Sequence, residues 1–438
     1  MSMIEGISSL WTFRFPRGIG THYSLACSRV NGEALIAGPG QPLHAGTKSG
    51  VFAIDSGGHL VSRTYHDGPL SPFVAFLGKD EEGRLLAHWS GEGPGARINV
   101  LSANHLQPVW IRDGFPWTGN GDFIDCDIEG DGREELLFSV GGLHHHVVCA
   151  DLKTGEEIWR YDDRVTICWG RLAIADIDLD GDLEVVFGTE YGNPDGTSSI
   201  VVLSSDGGLK WRDDSIPGDA GSTPTMLADV NGDGLLEILK VEIDLCGRDG
   251  HTSSVLCLDA HGSRLYSTPF GGSSIAIADV DGDGSLEGVG LTSGRDGGNH
   301  VLSEMVCLDL STGKRKWTRA VPRVYLSGDP VIASMGDDEG LDTLVTTGMP
   351  SGYGRIPGKE PWGSAYMFSP SGKLVWHQEF PDWAGDPLAC DIDSDGFLEF
   401  MIPSYEGRIC AWKTRAACSC DEFPKVNGGP ARTGLVGS

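Results

Sequence analysis

The chain has 438 residues, a formal net charge of −29, 39% hydrophobic residues and 64 glycines. The acidic balance argues against nucleic acid, whose phosphates need a basic surface, and no apolar run approaches the about 18 residues of a membrane span. The glycines follow no G-x-y period, so they mark many tight turns.

A strand-like segment, GISSLWTFRF at 6–15, comes first and has no partner in the sequence beside it. No basic n-region or apolar h-region is visible at this end, so a cytoplasmic location is expected, or secretion with a leader already removed. One phrase then recurs: a short apolar run, a polar turn, and a closing run that usually ends in tryptophan. Its copies are VFAIDSGGHLVS, INVLSANHLQPVW, VVCADLKTGEEIW, IVVLSSDGGLKW, VLCLDAHGSRLY, MVCLDLSTGKRKW and AYMFSPSGKLVW. A last apolar run, ICAW at 409–412, lacks its closing strand.

An acidic phrase alternates with the first. Asp127, Glu129, Asp131 and Glu135 form one copy; Asp176, Asp178, Asp180 and Glu184 form the next. Asp229, Asn231, Asp233 and Glu237 follow, then Asp279, Asp281, Asp283 and Glu287, then Asp391, Asp393, Asp395 and Glu399. The first aspartates recur roughly every fifty residues, and the final gap is about twice that. A worn copy, SMGDDEGLDTLV at 334–345, fills the gap; another, FLGKDEEGRLLAHW, lies at 76–89.

Each repeat thus carries four short β-like runs in about fifty residues, which is a propeller blade. The expectation is an all-β fold: one β-propeller domain spanning 1–438, with eight four-stranded blades, or seven if the ragged first is discounted. The N-terminal strand completes the last blade and closes the ring. Within a blade, the acidic loop joins two adjacent strands. Its carboxylates at alternate positions suit a structural Ca²⁺, so these twenty residues are expected as scaffold metal ligands. Cys126, Cys149, Cys257, Cys307, Cys390 and Cys410 lie in apolar runs and are expected as buried thiols; Cys418 and Cys420 are the candidate pair.

At the other end of the blades, His, Arg, Tyr and Trp collect in the connecting loops despite the net charge. His66, His88, His144, Arg171 and Tyr191 are candidate catalytic groups; Arg164, Trp169, Arg248, Arg295, Arg323, Tyr353 and Arg355 are candidate substrate contacts. Such a face attracts an anion locally. Arg clamps a carboxylate in a fork, and the aromatic rings stack on sugars. The chemistry these groups suit is β-elimination at a uronic acid: a cation neutralises the carboxylate, a base removes the C5 proton, and an acid protonates the leaving oxygen. A glycoside hydrolase and a non-catalytic binding propeller are the alternatives. The triple His144–His146 alternates along a strand, so at most two can point the same way. Trp11, Trp110, Trp159, Trp211, Trp317 and Trp376 share one repeat position and are expected to pack between blades; Trp117, Trp169, Trp362 and Trp383 lie off it.

The D-x-D-x-D-G-x-x-E phrase resembles FG-GAP/VCBS-type repeats. With the tail FPKVNGGPARTG, the whole pattern resembles propeller polysaccharide lyases: the ulvan, rhamnose–glucuronate and, more distantly, rhamnogalacturonan lyases. That resemblance implies a monomeric enzyme acting on an acidic oligosaccharide or polysaccharide of rhamnosyl-glucuronate type. It also implies two active-site histidines in an early blade, matched by His66 and His88, and an arginine, matched by Arg164 or Arg171. The family's tyrosine has no obvious counterpart: His144 or His146 stands near its place, and Tyr191 lies one blade later.

Overall fold

Continuous apolar runs form strands buried on both faces, and alternating runs form strands with one face in water. Ser198–Leu203 is buried at every residue, whereas the next strand, Leu209–Ile216, is exposed or half-buried up to its last residue. The same contrast separates the third strand from the fourth in most sheets, so the fourth is the outer one. The fold is all-β: eight four-stranded blades of a β-propeller, each an antiparallel sheet. A computed structural model describes residues 7–417 except 17–18, 21–24, 43–47, 67–69, 81–82, 92–94, 116–122, 141–144, 164–170, 191, 245–251, 296–300, 322–325, 337–339 and 350–361.

Blade 1 runs from Ile19–Gly20 to Leu60–His66, and blade 2 from Leu70–Asp80 to Pro108–Phe115. Blade 3 spans Ile124–Cys126 to Glu157–Asp163, blade 4 Ala173–Ala175 to Leu209–Ile216, and blade 5 Thr225–Ala228 to Arg264–Pro269. Blade 6 spans Ala276–Ala278 to Lys314–Val321, and blade 7 Leu326–Ser327 to Leu374–Phe380. In blades 1 and 7 the innermost strand is in two pieces, both paired to the second strand. Blade 8 comprises Leu388–Cys390, Phe397–Ser404 and Arg408–Ala417, and the N-terminal strand Ser8–Arg14 is its fourth member, as the orphan segment implies. The chain divides into two compact units, one holding blades 1, 6, 7 and 8 and the other blades 2 to 5.

The tryptophan position has a fixed job. Trp11, Trp110, Trp159, Trp211 and Trp317 each donate the indole N–H to a turn carbonyl of the following blade: Ser56, Leu152, Ser205, Ala260 and Pro370, at 2.7–3.0 Å. The ring then lies over a left-handed glycine of that turn. A Cβ on Gly155 or Gly207 would stand 2.7 Å from the Trp110 or Trp159 ring. Trp376 instead packs edge-on to Phe400 and Trp412 in the core of blades 7 and 8.

Just before each tryptophan position the register slips by one residue. Val202 pairs with Trp211 and Leu203 with Leu209, which leaves Lys210 as a bulge. Ile158, Leu265, Lys316 and Val375 occupy the same bulge in blades 3, 5, 6 and 7, and Leu10 occupies it in blade 8. A bulge re-aims its extra side chain out of the sheet's alternation. Three of these six residues are aliphatic yet exposed: Leu265 at 48%, Ile158 at 43% and Leu10 at 38%. Cys27, Cys126, Cys149, Cys257, Cys307, Cys390 and Cys410 are free thiols, buried or nearly so.

Candidate functional site

Each of the five acidic loops closes by the same hydrogen bonds. The N–H after the first aspartate donates to the final glutamate: Ile128 to Glu135, Ile177 to Glu184, Val230 to Glu237, Val280 to Glu287 and Ile392 to Glu399, at 2.8–3.1 Å. The first aspartate accepts from main-chain N–H groups further along, such as Asp180 and Gly181 onto Asp176 at 3.1 and 3.0 Å. Gly181 sits at φ 95°, a left-handed conformation that costs other residues strain. The glutamates are buried to 2% exposure or less. Burial pushes the carboxyls of Glu184 and Glu287 above the usual range, and it takes Glu399 to about 7. The worn copy keeps one element of this: Met335 N–H donates to buried Asp342 at 3.1 Å.

The side chains left over converge. Asp176, Asp178 and Glu184 bring ligand atoms within 4.8 Å of one another, as do Asp279, Asp281 and Glu287, and Asp391, Asp393 and Glu399. Clusters of this kind are able to hold a metal ion, and an all-oxygen donor set suits a hard cation. In these same three loops, however, a lysine ammonium stands among the carboxylates. Lys210 Nζ lies 2.8 Å from Asp178, 3.0 Å from Asp180 and 2.8 Å from Glu184. Lys316 Nζ lies 2.7, 3.0 and 2.9 Å from Asp281, Asp283 and Glu287. Lys413 Nζ lies 2.8 Å from Asp393 and 3.4 Å from Glu399, and it also bonds Asp395.

The two remaining loops differ. In 229–237 the Asn231 amide donates to Asp233 and Glu237 at 3.0 and 2.9 Å. In 127–135 Arg133 pairs with Asp131 from outside, and Glu129 is exposed.

At the opposite end of blades 4 and 5, a group of buried ionisable residues gathers around the start of an innermost strand. Arg171, only 9% exposed, makes a parallel bridge to Pro224 at the head of blade 5. Lys240 is wholly buried and donates to the Thr223 carbonyl and, at 3.2 Å, to Thr225 Oγ1. Burial pulls the Lys240 amine down to about 7, with nearby Asp219 opposing and Arg171 reinforcing the shift. Glu190 is half-buried; burial, then the Asp219 charge, raise its carboxyl to about 7. Asp219 is held by N–H groups of Gly221 and Ser222 at 2.8 and 3.1 Å and by Ser222 Oγ at 2.6 Å. Glycines permit this closeness: a Cβ on Gly188 would fall 2.1 Å from the Ala220 oxygen and 2.8 Å from Lys240 Cε. The arrangement offers a fixed cation and, beside it, an amine and a carboxyl both shifted to near neutrality.

Of the residues expected at this end, Arg171 lies in that group. His66 ends the outer strand of blade 1 and is partly buried. His88 is wholly buried in the second strand of blade 2, with Nδ1 3.2 Å from the Trp89 oxygen and Asn99 as its cross-strand partner. His66 and His88 belong to different compact units. His146 pairs with Asp162 across two strands of blade 3. Arg295 ends a strand of blade 6, and its side chain lies outside the described residues. His144, Tyr191, Arg164, Trp169, Arg248, Arg323, Tyr353 and Arg355 also lie outside them, as do Trp117, Cys418 and Cys420. Glu190, Asp219 and Lys240 were not among the expected site residues. The lysine inside the apolar run EILKVEI was the available signal, since a buried amine needs partners.

Residues 176–239 match the FG-GAP-like repeat family. No curated protein sequence matches the chain. Among solved structures it is similar to a europium-containing methanol dehydrogenase, at 13% identity and TM-score 0.60, over 93% of each chain. It is similar to an exotype rhamnogalacturonan lyase, YesX, at 12% identity and TM-score 0.59, over 92% of this chain and 76% of that one. BamB from Moraxella catarrhalis aligns at 13% identity and TM-score 0.56, over 94% and 99%. The likeness is one of fold, shared by proteins whose names describe different activities.

Proposed function

We propose that the chain is a polysaccharide lyase that cuts at a uronic acid of rhamnosyl-glucuronate type by β-elimination. The observation that carries this reading is the group Arg171, Glu190, Asp219 and Lys240 at the blade ends away from the acidic loops. Arg171 is the cation for the uronate carboxylate, which acidifies the C5 proton. A base takes that proton, the C4–O bond breaks, its electron pair leaves with the oxygen, and the C–H electrons become the C4–C5 double bond. His66, His88, His144 and Tyr191 are assigned to these proton transfers, and Glu190 joins them as a carboxyl protonated near neutrality. Arg164, Trp169, Arg248, Arg295, Arg323, Tyr353 and Arg355 are assigned to holding the rest of an acidic chain. The likeness to an exotype rhamnogalacturonan lyase agrees with this reading at the level of fold.

Structural Ca²⁺ belongs, in the same reading, to the two acidic loops without a lysine, 127–135 and 229–237. There Asp127, Glu129, Asp131 and Glu135, and Asp229, Asn231, Asp233 and Glu237, would hold it, and it would supply only stiffness to the turn.

One observation favours a second reading. A carboxyl raised to about 7 beside a second carboxyl group, Glu190 next to Asp219, is also what an acid-catalysed glycoside hydrolase needs. One experiment separates the two: ultraviolet absorbance and reducing ends are followed while the protein is incubated with gum arabic, ulvan and rhamnogalacturonan. Rising absorbance reports the conjugated uronate of elimination. New reducing ends without it report hydrolysis, and silence on both favours a binding propeller.

A further inference from the structure

We propose that Lys210, Lys316 and Lys413 are built-in cations that replace a divalent metal ion in three of the five acidic loops, so that these loops close without calcium.

Geometry is the first support. Each ammonium reaches three carboxylates of one loop, and one of the three is a glutamate at 0–1% side-chain exposure. A buried carboxylate that stays ionised needs a compensating charge, and the N–H donors of an ammonium suit the carboxylates around it.

The distribution of the lysines is the second, independent support. Loops 176–184, 279–287 and 391–399 carry aspartate at all three alternate positions; 127–135 has Glu129 and 229–237 has Asn231 in the middle. Lysine serves the first group, and among the described residues none bonds the carboxylates of the second. In blades 4 and 6 it is the bulge residue before the tryptophan, Lys210 and Lys316. In blades 3 and 5 that bulge holds Ile158 and Leu265. Blade 8 has Leu10 at the bulge, and Lys413 reaches the loop instead from the third strand, where it pairs with Glu399. Two routes thus bring an ammonium to the same kind of loop. A solvent-facing lysine would not track the aspartate count.

The test is calcium uptake by the whole chain after chelation, compared with Lys210→Met, Lys316→Met and Lys413→Met. Each variant is expected to bind one more Ca²⁺ than the wild type and to gain several degrees of melting temperature from added Ca²⁺ by that site alone. Equal uptake by wild type and variants overturns the proposal. Should a variant fail to fold even with Ca²⁺, acetic anhydride labelling of the wild-type amines decides. Lys210, Lys316 and Lys413 are expected to be equally protected in chelator and in Ca²⁺; tenfold faster labelling in Ca²⁺ would mean the metal displaces them.

Discussion

Trp159 and Gly207 hold one blade to the next: the indole N–H donates to the Ser205 carbonyl at 2.9 Å, and the ring lies where a Cβ on Gly207 would have to go. Gly207 and Gly181 share a left-handed backbone, with φ of 81° and 95°, but nothing lies within 4 Å of a Cβ on Gly181. Alanine at Gly181 should therefore cost only the backbone term, about 1 kcal/mol. Alanine at Gly207 adds a clash with a ring that cannot retreat without losing its hydrogen bond, for about 2–4 kcal/mol in total. Urea midpoints at an unchanged m-value measure both; equal costs would refute the role given to the tryptophan.

Glu190 makes a pH prediction. Its folded value of about 7 lies above the ordinary 4.5. Between those values the folded chain holds a proton that the unfolded chain has released, so this group's contribution to stability falls as pH rises and is fully lost above about 7. Glu190→Gln removes the titration. It should match the wild type near pH 4 and exceed it near pH 8 by about 1–2 kcal/mol, read as a difference in melting temperature. A constant difference across that range would contradict the shift.

Arg171 tests the proposed chemistry. Arg171→Lys keeps the charge but loses the fork, and should lower turnover on the preferred uronate polymer by about tenfold. Arg171→Met removes the charge and should lower it by about a hundredfold or more. Circular dichroism must be unchanged in both, because Arg171 also borders blade 5. Full activity in Arg171→Met would remove this residue from the site.

The thiols give a control for the fold. Burial, reinforced by nearby carboxylates, takes Cys126 and Cys307 up to about 12, and burial dominates again at Cys257. These groups stay protonated at neutral pH, and Cys257 and Cys307 are in addition fully buried. A thiol reagent at pH 8 should leave all three unmodified in native protein and label them in denaturant; rapid native labelling would argue that their blades open.

Much of the fold was legible because its repeat is chemical. Alternating carboxylates, a left-handed glycine and a buried glutamate recur at blade spacing, and Trp159 or Trp211 marks the blade-to-blade seam in each copy. The orphan strand at 6–15 located its own partner, since ICAW lacked one. The lysines were harder to see. Lys210 reads as an ordinary exposed residue before a tryptophan until the register slip between Val202 and Leu203 is known, and that slip re-aims it. Lys240 and Glu190 are separated by fifty residues of sequence. They join one group through the close approach at Gly188 and Gly221, which no local pattern encodes.

The pairing of Ser8–Arg14 with Arg408–Ala417 brings together residues as far apart as Thr12 and Cys410. A newly made chain exposes its first strand while everything else is synthesised, and the last sheet keeps an open edge until that strand arrives. Loop-closure entropy makes this among the slowest contacts to form, and an open edge is a template for a second chain. Two copies trading these strands would satisfy the same hydrogen bonds, so crowding sets pairing within one chain against exchange between two.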